Sequence, residues 1–204
     1  MSNTPAALPR ASFLRRYLTL ACLVVFGYLF EACVIPYVKV FGVSPNLLYA
    51  VIGIVTVAYG KLRAFWVGMV YGLLMQIMLP SVSYLNLALY SLSTLFCSFA
   101  FADKPLKTIE YERATGRRRK ELAPWVRTVL CAALNTLVYE AVNVTYLYID
   151  GAELAFAHIL RALLDVALTS LLTFLLLIPA RRLIFGRRLN APVIHPAPVV
   201  FSRH

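Results

Sequence analysis

The chain has 204 residues, 61% of them hydrophobic and only 14% charged, with a formal net charge of +11. Soluble domains carry about 25% charged residues, so this composition excludes a water-soluble helical bundle. The basic excess points to the inner face of a membrane and not to nucleic acid.

In chain order, the first apolar run is "YLTLACLVVFGYLFEACVIPY", residues 17–37, with one charge. A helix of that length covers about 30 Å, the hydrocarbon thickness of a bilayer. Arg10, Arg15 and Arg16 precede it. The run is longer than a signal-peptide core and lacks a small-x-small cleavage site, so it reads as a retained anchor. Two short runs follow, 45–59 and 64–79, joined by "GKLR". If these two runs formed one re-entrant hairpin, Lys61 and Arg63 would sit mid-membrane at about 2.5–3.5 kcal/mol each. Two short crossings with both bases at the inner surface avoid that cost. A fourth run, 85–102, leads into the polar linker 103–124. The fifth and sixth runs are 125–149 and 158–180, and a basic, Pro-rich tail occupies 181–204.

The expected fold class is therefore all-α: a polytopic membrane protein with six transmembrane helices. A basic segment 1–16 precedes the membrane domain 17–180, and the tail follows it. With both termini inside, all but Lys39 and Arg161 of the 20 lysines and arginines lie on the inner side, which fixes the expected orientation. In "VSPNLL", Ser44 is expected to cap a helix, Pro45 to occupy its first turn, and Asn46 to complete an outer-face span start. Cys22, Cys33, Cys97 and Cys131 all fall inside expected spans, match no metal spacing, and read as free, packed thiols.

Ionisable residues inside spans are candidate functional residues. At 1.5 Å per residue, Glu31, Gln76 and Glu140 lie about 20 Å from the inner surface. Arg161 and Asp165 lie about 5 and 10 Å below the outer one. His158, Arg161, Asp165, Thr169 and Thr173 share one face of the sixth run, and Arg161 and Asp165 form an i,i+4 pair. The expectation is an outer-leaflet ion-pair layer of Glu31, Glu140, Asp165 and Arg161, with Gln76 and His158 beside it. Its role is either to hold the bundle in register, to bind a small molecule or ion, or to meet another protein's transmembrane helix. His158 has no second ligand at metal spacing. Gly68-xxx-Gly72 lets two helices approach closely, within the bundle or across a dimer. Arg117, Arg118, Arg119 and Lys120 form a cytoplasmic basic patch suited to orienting the chain or to anionic lipid. No nucleophile elbow, HExxH or phosphate loop is present, so no enzyme and no cofactor is expected.

Three stretches carry a resemblance: "SPNLL" at 44–48, "GKLRAFWVGMVYGLLMQ" at 60–76 and "YLNLALYSL" at 84–92. Together they resemble the MreD family, the membrane subunit of the bacterial rod-shape machinery. That family opens a span on Pro-Asn, follows a glycine-spaced run with Gly-Leu-Leu-x-Asp, and then has Leu-Gly-x-Asn-Ala-Leu. Gln76 stands where the family commonly has Asp, and Tyr84 where it commonly has Gly. The resemblance implies a non-catalytic scaffold of the bacterial cytoplasmic membrane. The partners it implies are a single-pass MreC-like subunit, an MreB-like filament, and the glycosyltransferase and transpeptidase that build lateral wall. The alternative is a substrate-binding subunit of a vitamin transporter, which shares the six-span layout and binds its ligand near the outer surface.

Overall fold

The computed structural model describes residues 10–78, 84–102, 122–151 and 155–185. The linker patch at Arg117 to Lys120 and the tail beyond 185 lie outside the described residues. All regular structure among the described residues is helical: α1 (Arg10–Cys33), a single 3-10 turn (Ile35–Tyr37), α2 (Leu47–Tyr59), α3 (Lys61–Met78), α4 (Leu85–Phe101), α5 (Pro124–Ile149) and α6 (Phe156–Phe185). Three segments are long and apolar enough to cross a membrane: Tyr17–Tyr37, Pro124–Ile149 and Phe156–Ala180.

The shortest helix organises the rest. α2 has 13 residues and is about 20 Å long. Residues 47–56 are all buried, Leu48, Tyr49, Ile52 and Val55 completely. A helix apolar on every side belongs in the interior, and α2 packs against α1, α3, α4, α5 and α6. The other helices turn apolar side chains outward, among them Val25, Phe26 and Phe30 on α1 and Leu171 and Phe174 on α6. A water-soluble bundle would place those side chains inside, and a lipid-facing one does not.

Backbone contact at glycine sets the closest crossings. On α3, a Cβ at Gly68 would lie 2.8 Å from the Tyr90 carbonyl oxygen and 2.7 Å from Thr94 Oγ1. At Gly72 it would lie 2.8 Å from Leu87 Cα. All three contacts are on α4, so the Gly-xxx-Gly face is used inside the bundle. At this crossing the Tyr90 ring stacks on that of Tyr49 at 4.5 Å with an interplanar angle of 6°. Tyr139 of α5 tilts against both.

The opposite end of the bundle carries the "GKLR" bases. Gly60 turns the chain at φ 88°. Arg63 then donates to the Tyr59 carbonyl at 3.1 Å and to the Tyr17 hydroxyl at 2.9 Å. Lys61 Nζ sits 4.5 Å over the Phe99 ring.

Helix bounds depart from expectation mainly at the ends. α1 begins at Arg10, so part of the basic N-terminal segment is helical. α3 includes Lys61 and Arg63. α6 runs from Phe156 to Phe185 through Pro179. Cys97 and Cys131 are buried and free, but Cys22 and Cys33 are free and exposed on α1, not packed. α1 lies on the periphery, and the sequence pattern of an outer span does not reveal which of its faces meets the bundle.

Tyr84 precedes α4 with φ 63° and ψ 6°, a left-handed conformation that costs a non-glycine residue roughly 1–2 kcal/mol. Its side chain is 73% exposed, so little packing offsets that cost. Tyr84→Gly is expected to stabilise the protein by about 1 kcal/mol, read as a higher midpoint of thermal unfolding in detergent. Tyr84→Val is expected to lower the midpoint, because a β-branched residue tolerates this backbone least.

Candidate functional site

A buried helix start poses an electrostatic problem. The first N–H groups of a helix have no partner within it, and its dipole places about half a positive charge there. In water this is inexpensive. Inside a bundle each orphan donor costs about 1–3 kcal/mol. α2 starts inside the bundle, between α1, α4 and α6.

Side chains from four helices answer it. Asn46 is the N-cap residue, in extended conformation, and its Oδ1 accepts from Tyr49 N at 3.3 Å. Leu47 N donates to Glu31 Oε2 at 2.8 Å, from α1. Leu48 N is also directed at the Glu31 carboxylate. Asn46 N donates to Thr169 Oγ1 at 2.9 Å, and that hydroxyl donates to Asp165 Oδ1 at 3.1 Å. Both belong to α6. The Asn46 side-chain amide donates to the Tyr90 hydroxyl of α4 at 3.0 Å. The Glu140 carboxyl of α5 lies near that of Asp165.

This arrangement corrects the sequence-based expectation at three points. First, the cap is Asn46; Pro45 is buried just outside the helix, and Ser44 is exposed. Second, Glu31, Glu140 and Asp165 do come together, but Arg161 is exposed and none of their hydrogen bonds comes from it. The positive pole they meet is the start of α2. An i,i+4 spacing permits contact without enforcing it. Around α6, Arg161 lies about 80° from Thr169 and about 120° from Thr173, the threonines that mark the buried face. Third, Gln76 belongs to a different cap: its Oε1 accepts from Asn86 N at 3.2 Å, at the start of α4. His158 is half-buried and outside the cluster.

Residues that sequence reasoning passed over are Tyr90, as a side-chain partner of the cap, and Asn86. A lone tyrosine inside an apolar run gives no signal that its hydroxyl has a designated partner. Among the described residues no group of three His, Cys, Asp or Glu side chains is arranged to hold a metal ion.

Between α5 and α6 lies a groove of about 180 Å³, walled by Leu137, Ala141, Ile159, Ala162 and Leu163, with Glu140 in its lining. The surface of the groove is almost wholly apolar, so Glu140 lines it with its methylene groups.

If capping by α1 and α6 explains the charges, Arg161 contributes little. Arg161→Leu is expected to change stability by less than about 0.5 kcal/mol. Asp165→Leu should cost several times more. Comparable losses in side-by-side melting curves would restore the ion-pair layer.

No protein-family model, no curated protein and no solved structure matches the chain. What the fold and the site define is a class: an all-helical protein with helices fit to cross a membrane, built around one buried helix start.

Proposed function

We propose that the chain is a non-catalytic, MreD-like scaffold of a bacterial cytoplasmic membrane, with six crossings and both termini inside. In this orientation the start of α2 lies in the outer half of the bilayer and the "GKLR" turn at the inner surface. Its partners on this reading are an MreC-like single-pass subunit, an MreB-like filament and the lateral-wall glycosyltransferase and transpeptidase. Anionic lipid meets the inner basic segments.

The observation that carries the proposal is the backbone at Tyr84. The position where the family commonly has Gly adopts φ 63°, a conformation that glycine favours. Gln76, where the family commonly has Asp, accepts a hydrogen bond from the N-terminus of α4, a task a carboxylate performs equally well. Both departures from the family pattern thus fall where the family residue fits the local geometry.

The transporter alternative asks for a ligand-sized outer cavity, about 300–1,000 Å³ for a typical small molecule. The Glu140 groove, about 180 Å³ and apolar-walled, is smaller. Of the cluster's acids, Glu31 accepts from Leu47 N and Asp165 accepts from the Thr169 hydroxyl.

Depletion in the native rod-shaped bacterium tests the proposal. The expected result is wide or round cells that no added vitamin rescues, with a single-pass coiled-coil protein co-purifying in mild detergent. Cells of normal width that require a vitamin would replace the scaffold with the transporter.

A further inference from the structure

The outward-facing helices of the bundle are not of one length. α4 has 17 residues between Tyr84 and Ala102, about 25 Å along its axis. α3 has 18 residues from the Gly60 turn to Met78, about 27 Å. α5 has 26 residues and the apolar part of α6 has 25, about 38 Å each. α3 packs on α4 and α5 on α6, so the two short helices lie together and so do the two long ones. A hydrocarbon core of about 30 Å matches neither pair standing upright.

Tilt removes one mismatch and not the other. A tilted helix spans less of the bilayer, so α5 and α6 fit by leaning. Leaning makes α3 and α4 shorter still. Nor can these two slide apart to gain height, because Gly68 and Gly72 seat α3 directly on the α4 backbone. The bases at the inner end do not reach away from the bundle. Lys61 lies over the Phe99 ring, and Arg63 is bonded to the Tyr59 carbonyl and the Tyr17 hydroxyl. A thinner bilayer against this face is what remains.

The side chains on the face favour lipid over a helix. Trp66, Val70, Leu73 and Ile77 form one stripe along α3, spaced by three and four residues, and Leu92 and Phe96 widen it on α4. Each is 43–76% exposed. Transmembrane helices dock through small residues that let backbones approach. Here the glycines face inward and the outward side chains are large. Lys61 is exposed at the inner edge, at the level of lipid phosphates, and Tyr84 is exposed at the outer edge, where interfacial aromatic residues belong. Polar edges thus frame an apolar wall about 25 Å high.

Resting on the six-crossing reading above, we propose that the α3–α4 face is a binding surface for phospholipids with short acyl chains, and that the bilayer beside it is thinner by about 3–5 Å. The protein gives the membrane one thin side and one ordinary side. Short-chain lipid gathers at α3–α4 and is not selected at α5–α6.

The two tryptophans of the chain report the two faces separately. Trp66 is on the α3 stripe, and Trp125 of α5 lies 6.3 Å from the Phe174 ring of α6. Trp125→Phe leaves the first as the only tryptophan, and Trp66→Phe leaves the second. Each full-length variant is reconstituted in an equal mixture of phosphatidylcholines with chains of about 14 and about 22 carbons, which bracket the ordinary thickness. Bromine in the acyl chains of one lipid or the other quenches the tryptophan it touches. At Trp66, the brominated short lipid is expected to quench at least twofold more than the brominated long lipid. At Trp125 the two should quench equally. Equal quenching at Trp66 overturns the proposal, as does a preference there for the long lipid. Quenching of Trp66 by neither lipid also overturns it and gives the face to a second copy or another protein. The same short-chain preference at both tryptophans overturns it too, because the selection then does not belong to α3–α4. None of these outcomes reads cell shape, so this inference and the scaffold reading fail separately.

Discussion

Gly68→Leu is expected to be the most damaging single substitution in the bundle. The added side chain meets a backbone carbonyl, Tyr90 O, 2.8 Å from where its Cβ must sit. A carbonyl on a packed helix cannot rotate away as a side chain can, so α3 and α4 must move apart. Overpacking of this kind costs typically 1–3 kcal/mol and occasionally more. The upper end is expected here, because the same shift unseats Gly72 from Leu87 and disturbs the Tyr49–Tyr90 stack. For a chain of this size that corresponds to a fall in Tm on the order of 10 °C. Gly68→Ala should produce a smaller loss in the same direction, since the Thr94 hydroxyl can turn aside but the carbonyl cannot. An unchanged Tm for the leucine variant would mean that α3 and α4 are not held at this distance.

The second large effect is expected at Glu31, and it separates two kinds of capping. Glu31→Leu removes the acceptor for Leu47 N, leaving a donor orphaned beside a side chain that is only 5% exposed. The expected loss is about 2–3 kcal/mol, the desolvation cost of an unpartnered amide plus the lost charge–dipole attraction. Glu31→Gln keeps an oxygen in place and should lose less than half as much. If both variants lose equally, the negative charge is what matters and the hydrogen bond is incidental. If Glu31→Leu melts like the parent protein, the α2 start finds its partner elsewhere and the capping cluster is wrong.

The sequence allowed the layer to be anticipated, but not its logic. Depth counting along the helices brought Glu31, Glu140 and Asp165 to one level, and the structure joins them around a single point. What depth counting lacks is any representation of backbone donors. A reader of side chains sees three acids and one arginine and pairs them. The actual counter-pole is a set of N–H groups exposed by the shortness of α2, which carries no letter of its own. The same blindness moved the cap from Asn46 to Ser44. Pro45 fits the first turn of a helix, yet here it lies before the cap, and Asn46 is chosen because its two-ended amide serves both Tyr49 N and the Tyr90 hydroxyl. Gln76 was assigned by depth to the acid layer, and its true partner, Asn86 N, lies across a turn that sequence spacing does not resolve. The Gly68–Gly72 spacing announced a close crossing in the sequence, but choosing between α4 and a second molecule required coordinates.

The α2 start also has a history during synthesis. Its two outside anchors come from opposite ends of the described chain: Glu31 precedes it, while Thr169 follows Asn46 by 123 positions. At about 5–20 residues per second, a ribosome takes roughly 6–25 s to travel from one to the other. Through that interval the nascent chain carries an amide whose final acceptor has not been made. The last of the described helices to emerge is therefore the one that seals this buried turn. A product cut short before Thr169 lacks the acceptor of Asn46 N and keeps an unsatisfied donor at the α2 start.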